Sequence, residues 1–383
     1  LSATRRCRVD LIVGTRPNIV KLGPLAHALS ASDWCDPRVV FLEQHTNAGL
    51  GDDILADLGV DADHVLRIPL PGDGYGQRLG DMVAGYGEAL RADTPDLVVV
   101  FGDVDATLAA ALAAKRHGLP VAHVEAGLRS HDRRMPEELN RLMVDAIADL
   151  FFATSEDAVD TLVRSEGKPA DAVHFVGNLM IDSLVRTLDA DAGARLGDAI
   201  GLPRGGFAVA TFHRPSNVDH EPGLRAMLSL LQQASTRLPV VLPLHPRTAA
   251  ALDRHGLRAH ADGIDGLHLL PPIRYREFIS LLSHARVAMT DSGGLQEETS
   301  FLGVPCLTVR ENTERPVTIT LGTNCLTSPA EAIGKLDAIL QSPRAAATPI
   351  PLWDGNTAGR MTRVLSAWWA DQQRRPGPSA DLG

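Results

Sequence analysis

Cysteine is scarce: the 383 residues hold four. Cys7, Cys35, Cys306 and Cys325 lie far apart with no Cys-x-x-Cys pair, which excludes the common zinc spacings and a disulfide framework, so they read as buried or incidental thiols. A long apolar run is also missing. The opening stretch LSATRRCRVDLIVG has only a short apolar segment that reads as a first strand, so neither a signal peptide nor a membrane span is expected, and the cytoplasm is the default location. Positive charge is in deficit, with a formal net charge of −10, which argues against a nucleic-acid-binding surface. An acidic chain can still bind anions by gathering a few Arg, His and helix N-termini. No Lys-Ser/Thr pair follows a glycine loop, which disfavours ATP hydrolysis, and no G-x-G-x-x-G follows the first strand, so NAD is not indicated. No metal and no cofactor are expected.

What is present is an ordinary globular composition, 44% apolar and 22% charged, in a chain long enough for two or three domains. Short β-rich runs alternate with helical patterns, the signature of parallel sheets with crossover helices. Strands are expected at Arg8–Gly14, Val39–Leu42, Leu97–Phe101, Val121–Val124, Leu150–Ala153 and His174–Val176, with helices at Thr107–Lys115, Glu137–Ala148 and Glu156–Arg164 among those between them. After the polar stretch Asp189–Gly206 a second series follows: Ala208–Phe212, Val240–Leu244, Leu267–Leu270, Val287–Thr290 and Cys306–Val309. The pattern predicts an α/β protein of two Rossmann-like domains, residues 1–178 and 179–356, with the boundary near Gly177–Leu184. A last helix, about Thr357–Gln372, places Met361, Val364, Leu365 and Trp368 on one face. Two such domains put the carboxyl ends of both sheets around one cleft, and ligands of open α/β sheets bind at those ends.

The unusual polar clusters fall just after strands. GTRPN (Gly14–Asn18) joins a strand end to a helix N-terminus, an anion site to which Arg16 adds a bidentate donor; a plain helix start is the alternative. In DSGGLQEE, Ser292, Gly293 and Gly294 let backbone approach an anion, and Glu298, one helical turn on, is placed to accept hydrogen bonds from a ribose diol. Arg315 in ENTERP is a phosphate or ribose clamp, or else an ordinary loop arginine. Three carboxylate sources meet on the rim of the first sheet: Asp103 and Asp105 in GDVDAT, Glu125 in HVEAGLRS, and Glu137 and Glu138 in MPEELNR. Crowded carboxylates raise one another's pKa and become usable acids or bases near neutrality. Glu137 and Glu138 can also serve simply as favourable charges at a helix start, and Asp103 as a cap. His213 and Arg214 follow the first strand of the second series, and His245 in LPLHPR is equally an anion ligand or a loop-stabilising residue.

In this order the clusters resemble the non-hydrolysing UDP-N-acetylglucosamine 2-epimerase family, with its two-domain GT-B fold, from GTRPN to WDGNTAGR (Trp353–Arg360). The resemblance implies that the last helix (357–375) returns to the first domain. It carries catalytic roles to Asp103, Glu125, Glu137 and His213, the last near the β-phosphate, and substrate-binding roles to Arg16, Lys21, Phe278 as a uracil stack, Ser292, Gly293, Gly294, Glu298 and Arg315. It implies a UDP-amino-sugar as partner, a homodimer, and C2 epimerisation between UDP-GlcNAc and UDP-ManNAc through a 2-acetamidoglucal. Gln44, Arg78 and His245 are candidates for a regulatory site, although QHTNAG departs from the family's QHR. Asn18, Asp105 and Ile273 are further departures, standing where the family often has Glu, Asn or Thr, and Gln. The competing expectations are a GT-B glycosyltransferase, which needs no trio of carboxylates facing C2, a hydrolysing epimerase, and a non-catalytic nucleotide-sugar sensor.

Overall fold

The computed structural model describes residues 5–43, 65–69, 75–343 and 348–374. The chain divides into two compact units, Leu1–Ser183 with Pro351–Gly383, and Leu184–Ile350. Each is built on one wholly parallel sheet.

In the first unit the strands are β1 (Cys7–Val13), β2 (Cys35–Glu43), β3 (Val65–Pro69), β4 (Leu97–Phe101), β5 (Val121–Val124), β6 (Leu150–Ala153) and β7 (Val173–Phe175), in the order β3-β2-β1-β4-β5-β6-β7. All five residues of β4, LVVVF, are buried, as a strand between two helix layers requires. Val98 and Val100 join Ile12, Val40 and Leu42 in one core against the helices Tyr75–Ala92 and Asp105–Arg116. The second of these carries six buried alanines, from Ala106 to Ala114. Alanine favours the helix and its short side chain lets the helix lie close on the sheet.

The second unit has β8 (Ala208–Thr211), β9 (Val240–Pro243), β10 (Leu267–Leu270), β11 (Val287–Thr290), β12 (Cys306–Val309) and β13 (Asn324–Thr327), ordered β10-β9-β8-β11-β12-β13. Alternation along the strands divides its core between two faces. Ala208, Ala210, Val240, Leu242, Val287 and Met289 pack on one side, while Val209, Val241, Ala288 and Cys306 pack on the other. In each sheet the strand order reverses once, between β1 and β4 and between β8 and β11. The loops leaving those strands, GTRPN and GDVD in one unit and TFHRPSN and DSGG in the other, therefore lie where open α/β sheets take ligands.

The segment 351–374 completes the first unit. Trp353 Nε1 donates to Thr154 O at 2.9 Å, and Asp182 accepts from the backbone N–H groups of Thr357 (3.0 Å) and Ala358 (2.7 Å), capping the last helix, Thr357–Arg374. Arg360 Nε donates to Val176 O at 2.6 Å, and the helix packs against the helix Arg16–Ser30. No helix among the described residues is long and apolar enough to cross a membrane.

Three elements differ from the sequence expectations. Strands β3 and β13 were not anticipated; each is a sheet edge with one neighbour, where short and partly polar segments suffice. The helix expected over Glu156–Arg164 ends at Asp160 and gives way to a π-turn at Thr161–Ser165. Thr161 Oγ1 bonds the Asp157 carbonyl at 3.0 Å, where the hydroxyl crowds the helical ladder.

Candidate active site

In the first unit the carboxylates after β4 and β5 each meet a cation, Asp103 meeting Arg141 and Glu125 meeting Lys21. Glu125 leaves β5 with a φ of +67°, a left-handed conformation costing a side-chain-bearing residue roughly 1–2 kcal/mol. Its Oε2 receives Lys21 Nζ at 2.6 Å, and both side chains are less than a tenth exposed. The short distance is that of a charge-assisted hydrogen bond. Gly102, in the turn after β4, lies directly against this pair: a Cβ there would sit 3.3 Å from Glu125 Oε2 and 3.4 Å from Lys21 Nζ, and its φ is +65°. The glycine of GD thus lets the turn after β4 lie against the Lys21–Glu125 pair, with Asp103 the next residue in the chain.

The helix Pro136–Ile147 supplies the rest. Arg141 bridges two carboxylates, Asp103 through Nη2 and Glu138 through Nη1, the latter at 2.7 Å. Glu138 is fully buried and also accepts from Ser130 N (2.8 Å), Ser130 Oγ (3.0 Å) and His131 N (2.9 Å). Burial opposes its ionisation, but these donors and Arg141 hold its carboxyl below the ordinary value. It is a loop clamp. Its neighbour Glu137 is half-buried, its side chain making no hydrogen bond or ion pair to another described residue, while Asp103 keeps a quarter of its side chain exposed. Asn140 Nδ2 bonds Asp103 O at 2.9 Å and Asp105 Oδ1 at 3.1 Å. Asn18 donates to Phe101 O at 2.7 Å, tying GTRPN to the end of β4; a glutamate in its place would carry no such donor at neutral pH. The side chain of Arg16, and Gln44, lie outside the described residues; Arg78 is half-buried on the helix Tyr75–Ala92.

In the second unit the organising residue is Asp291, fully buried after β11. Its carboxylate accepts from His213 N (3.1 Å), Arg214 N (2.9 Å) and Asn217 Nδ2 (3.0 Å), and His213 Nδ1 stands 3.3 Å away. Asp291 therefore fixes the HRPSN loop to the strand carrying DSGG. The His213 ring, about a third exposed, lies 5.1 Å from that of His245. Burial is the largest influence on His213 and, with Arg214 and Arg247 against Asp291, lowers its pKa, favouring the neutral ring. His245 Nδ1 accepts from Arg247 N at 3.2 Å, so it caps the helix Pro246–Arg254.

Ser292 stands at the N-cap of the helix Gly293–Leu302, its N–H on Thr290 Oγ1 at 2.9 Å. A Cβ on Gly293 would lie 2.7 Å from Arg315 Nη1, so glycine admits that guanidinium to the helix start, where Gly294 follows. Arg315 does not project freely: Nε pairs with Glu297 at 2.8 Å and Nη1 with Glu314, which also holds Arg310 at 2.8 Å. Glu298 is enclosed, with Tyr275 Oη donating to its Oε1 at 2.9 Å. Burial pushes its carboxyl up to about 8. Phe278 is three residues from Tyr275 on the helix Tyr275–Ser283, half-buried against the second unit's core.

The structure thus gathers Lys21, Asp103 and Glu125 at one strand-end rim, with Glu137 on the adjoining helix, and His213, Ser292, Gly293 and Arg315 around the ends of β8 and β11. Sequence reasoning overlooked Arg141, Asp291 and Tyr275. Arg141 and Asp291 stand inside motifs already singled out, MPEELNR and DSGG, where a charged residue at a strand end or on a helix start was the available signal.

The chain matches the family model described as UDP-N-acetylglucosamine 2-epimerase over residues 27–366. It is 33% identical to the UDP-N-acetylglucosamine 2-epimerase of Methanococcus maripaludis, covering 94% of this chain and 98% of that one. It is 34% identical to the UDP-2,3-diacetamido-2,3-dideoxy-D-glucuronate 2-epimerase of Pseudomonas aeruginosa, covering 88% and 92%. The crystal structure of the Methanocaldococcus jannaschii UDP-GlcNAc 2-epimerase in complex with UDP-GlcNAc and UDP matches with a TM-score of 0.85 at 31% identity, over 94% of this chain and 99% of that one, which gives the fold as GT-B. A family match across most of the sequence, with relatives alike from end to end, leads to one conclusion: the chain belongs to the UDP-N-acetylglucosamine 2-epimerase family, an isomerase family.

Proposed function

We propose that this protein inverts C2 of a UDP-activated 2-acetamido sugar, interconverting UDP-GlcNAc and UDP-ManNAc or a close analogue such as a 2,3-diacetamido uronic acid. The observation that carries this reading is the buried Lys21–Glu125 pair resting on Gly102, with Asp103 next in the chain. Two proton-handling groups are needed because C2 has two faces. One carboxylate takes the C2 proton; the C–H electrons form the C1=C2 bond while the C1–O bond breaks and its electrons leave with UDP. UDP then re-adds to C1 as an acid delivers a proton to the other face of C2. Asp103, Glu125 and Glu137 are the groups we assign to these transfers, all in the first unit.

The departing diphosphate is assigned to the second unit. Ser292, Gly293 and Gly294 offer a helix N-terminus, and Arg315 and His213 stand beside it, so the leaving charge is met by fixed dipoles. Glu298 receives the ribose and Phe278 the uracil, while Arg16 and Lys21 belong to the sugar-diphosphate contacts. Gln44, Arg78 and His245 remain the proposed regulatory set, and a homodimer in the cytoplasm the proposed setting. The test is incubation with UDP-GlcNAc in D₂O. Deuterium at C2 with UDP-ManNAc accumulating supports the reading; free UDP with a released amino sugar would mean a hydrolysing enzyme instead, and no exchange would refute both. Glu125→Gln should abolish exchange and leave UDP binding largely intact; unchanged turnover would remove Glu125 from the reaction.

A further inference from the structure

Beneath the first-unit rim lies a buried charge network that the reaction itself does not use. Asp145, on the helix Pro136–Ile147, is fully enclosed and accepts from three donors: His123 Nδ1 at 2.6 Å, Arg129 Nη2 at 2.6 Å and Gly127 N at 3.0 Å. His123, in β5 and also fully enclosed, sets its Nε2 2.8 Å from the Gly102 carbonyl. A carbonyl only accepts, so Nε2 donates to it. On the other side Nδ1 meets a carboxylate, so both ring nitrogens face acceptors. Burial alone would raise the Asp145 carboxyl, yet His123 and Arg129 hold it below its ordinary value. Arg129 is in turn balanced by Glu166, with Nε at 2.9 Å and Nη2 at 2.6 Å.

The placement of these bonds along the chain gives them meaning. One tether runs from Asp145 through His123 to the carbonyl immediately before Asp103. The other runs from the same carboxylate to the N–H two residues after Glu125. The two loops bearing the proton-handling carboxylates are therefore tied to a single buried anchor, and the left-handed turn at Glu125 is held between β5 and that anchor. A hydrophobic pair would fill the same volume, and buried charge is weak evidence for stability as such. What an apolar pair cannot do is fix two loops to one point.

We propose that His123 and Asp145 are a positioning pair, setting the carboxylates of Asp103 and Glu125 in register for proton transfer at C2. This rests on the epimerase reading above. The test compares His123→Phe, which keeps ring volume and loses both hydrogen bonds, with His123→Gln, whose amide N–H can still reach the Gly102 carbonyl. C2 deuterium incorporation from UDP-GlcNAc is measured per UDP-binding site, titrated by calorimetry. Misplacement by an ångström costs on the order of 10²-fold, so His123→Phe should lose about that factor in kcat with KM within about threefold. His123→Gln should recover at least about tenfold of the loss. Should His123→Phe not fold, Asp145→Asn is expected to show the same kcat-selective loss. A His123→Phe or Asp145→Asn enzyme within about threefold of wild-type kcat overturns the proposal, as does a loss that Gln fails to repair or that falls equally on KM. Absence of exchange in the unsubstituted protein would instead fell the epimerase reading, and this inference with it; the wild-type arm alone reveals that.

Discussion

Glu298 offers a quantitative test of the second unit. It is enclosed within the helix Gly293–Leu302, and burial pushes its carboxyl from 4.5 up to about 8, opposed by the Tyr275 hydroxyl and reinforced by Glu297. Because the folded chain holds this proton more tightly than the unfolded chain, the stabilisation is fully present below about pH 4.5 and is lost as pH rises through about 8. At 1.36 kcal/mol per unit, the group should remove about 3 kcal/mol of folding stability between about pH 5.5 and 8.5. Glu298→Gln keeps an acceptor for Tyr275 and abolishes the titration. The stability of the variant relative to wild type should therefore rise by about 3 kcal/mol across that window, the contributions of distant titrating groups cancelling in the difference. All four tryptophans (Trp34, Trp353, Trp368, Trp369) belong to the first unit, so urea unfolding should be followed by far-ultraviolet circular dichroism. A difference between variant and wild type that stays constant within about 0.5 kcal/mol over the window would refute the account of Glu298 as a buried, proton-retaining carboxyl.

Further perturbations address the other features. Lys21→Met removes the cation that meets the buried Glu125 carboxylate at 2.6 Å and should cost about 3–5 kcal/mol in urea unfolding, together with most C2 exchange; a neutral outcome would mean that the pair adds nothing to stability. Asp291→Asn removes the charge on which the His213, Arg214 and Asn217 donors converge, so UDP affinity by calorimetry should fall by roughly 10–100-fold, equivalent to about 1.5–3 kcal/mol; unaltered affinity would detach the HRPSN loop from the diphosphate site. Asp182→Ala uncaps the last helix and should cost about 0.5–2 kcal/mol, read from the thermal midpoint by tryptophan fluorescence, with no change in UDP affinity.

Much of the architecture was legible because doubly covered strands announce themselves. LVVVF, VAHV and LFFA are buried at every position, and continuous apolar runs bounded by turns leave little choice. The edge strands β3 and β13 were not legible, since VLRIP and NCLT need satisfy only one neighbour. The carboxylates at the ends of β4 and β5 could be placed on one rim from strand position alone. Their partners could not. That Arg141 would reach Asp103, that Asp145 would receive both His123 and Gly127, and that Tyr275 would meet Glu298 depend on which strands and helices adjoin, a fact of tertiary order invisible in local spacing. The same holds for Arg315, whose loop position suggested a free clamp and whose side chain is shared between Glu297 and Glu314.

The hold of Asp182, Thr154 and Val176 on residues 353–360 has a consequence for biosynthesis. Synthesis runs from the N-terminus, so the first unit begins to emerge before the second but lacks its closing helix, Thr357–Arg374, until the second unit has followed it out of the ribosome. The second unit, though made later, possesses all of its pieces sooner. A nascent chain that has emerged as far as residue 350 would present one finished body and one still lacking the buried Met361 and Leu365 of its covering helix, leaving the early-born half the longer in need of chaperone shelter.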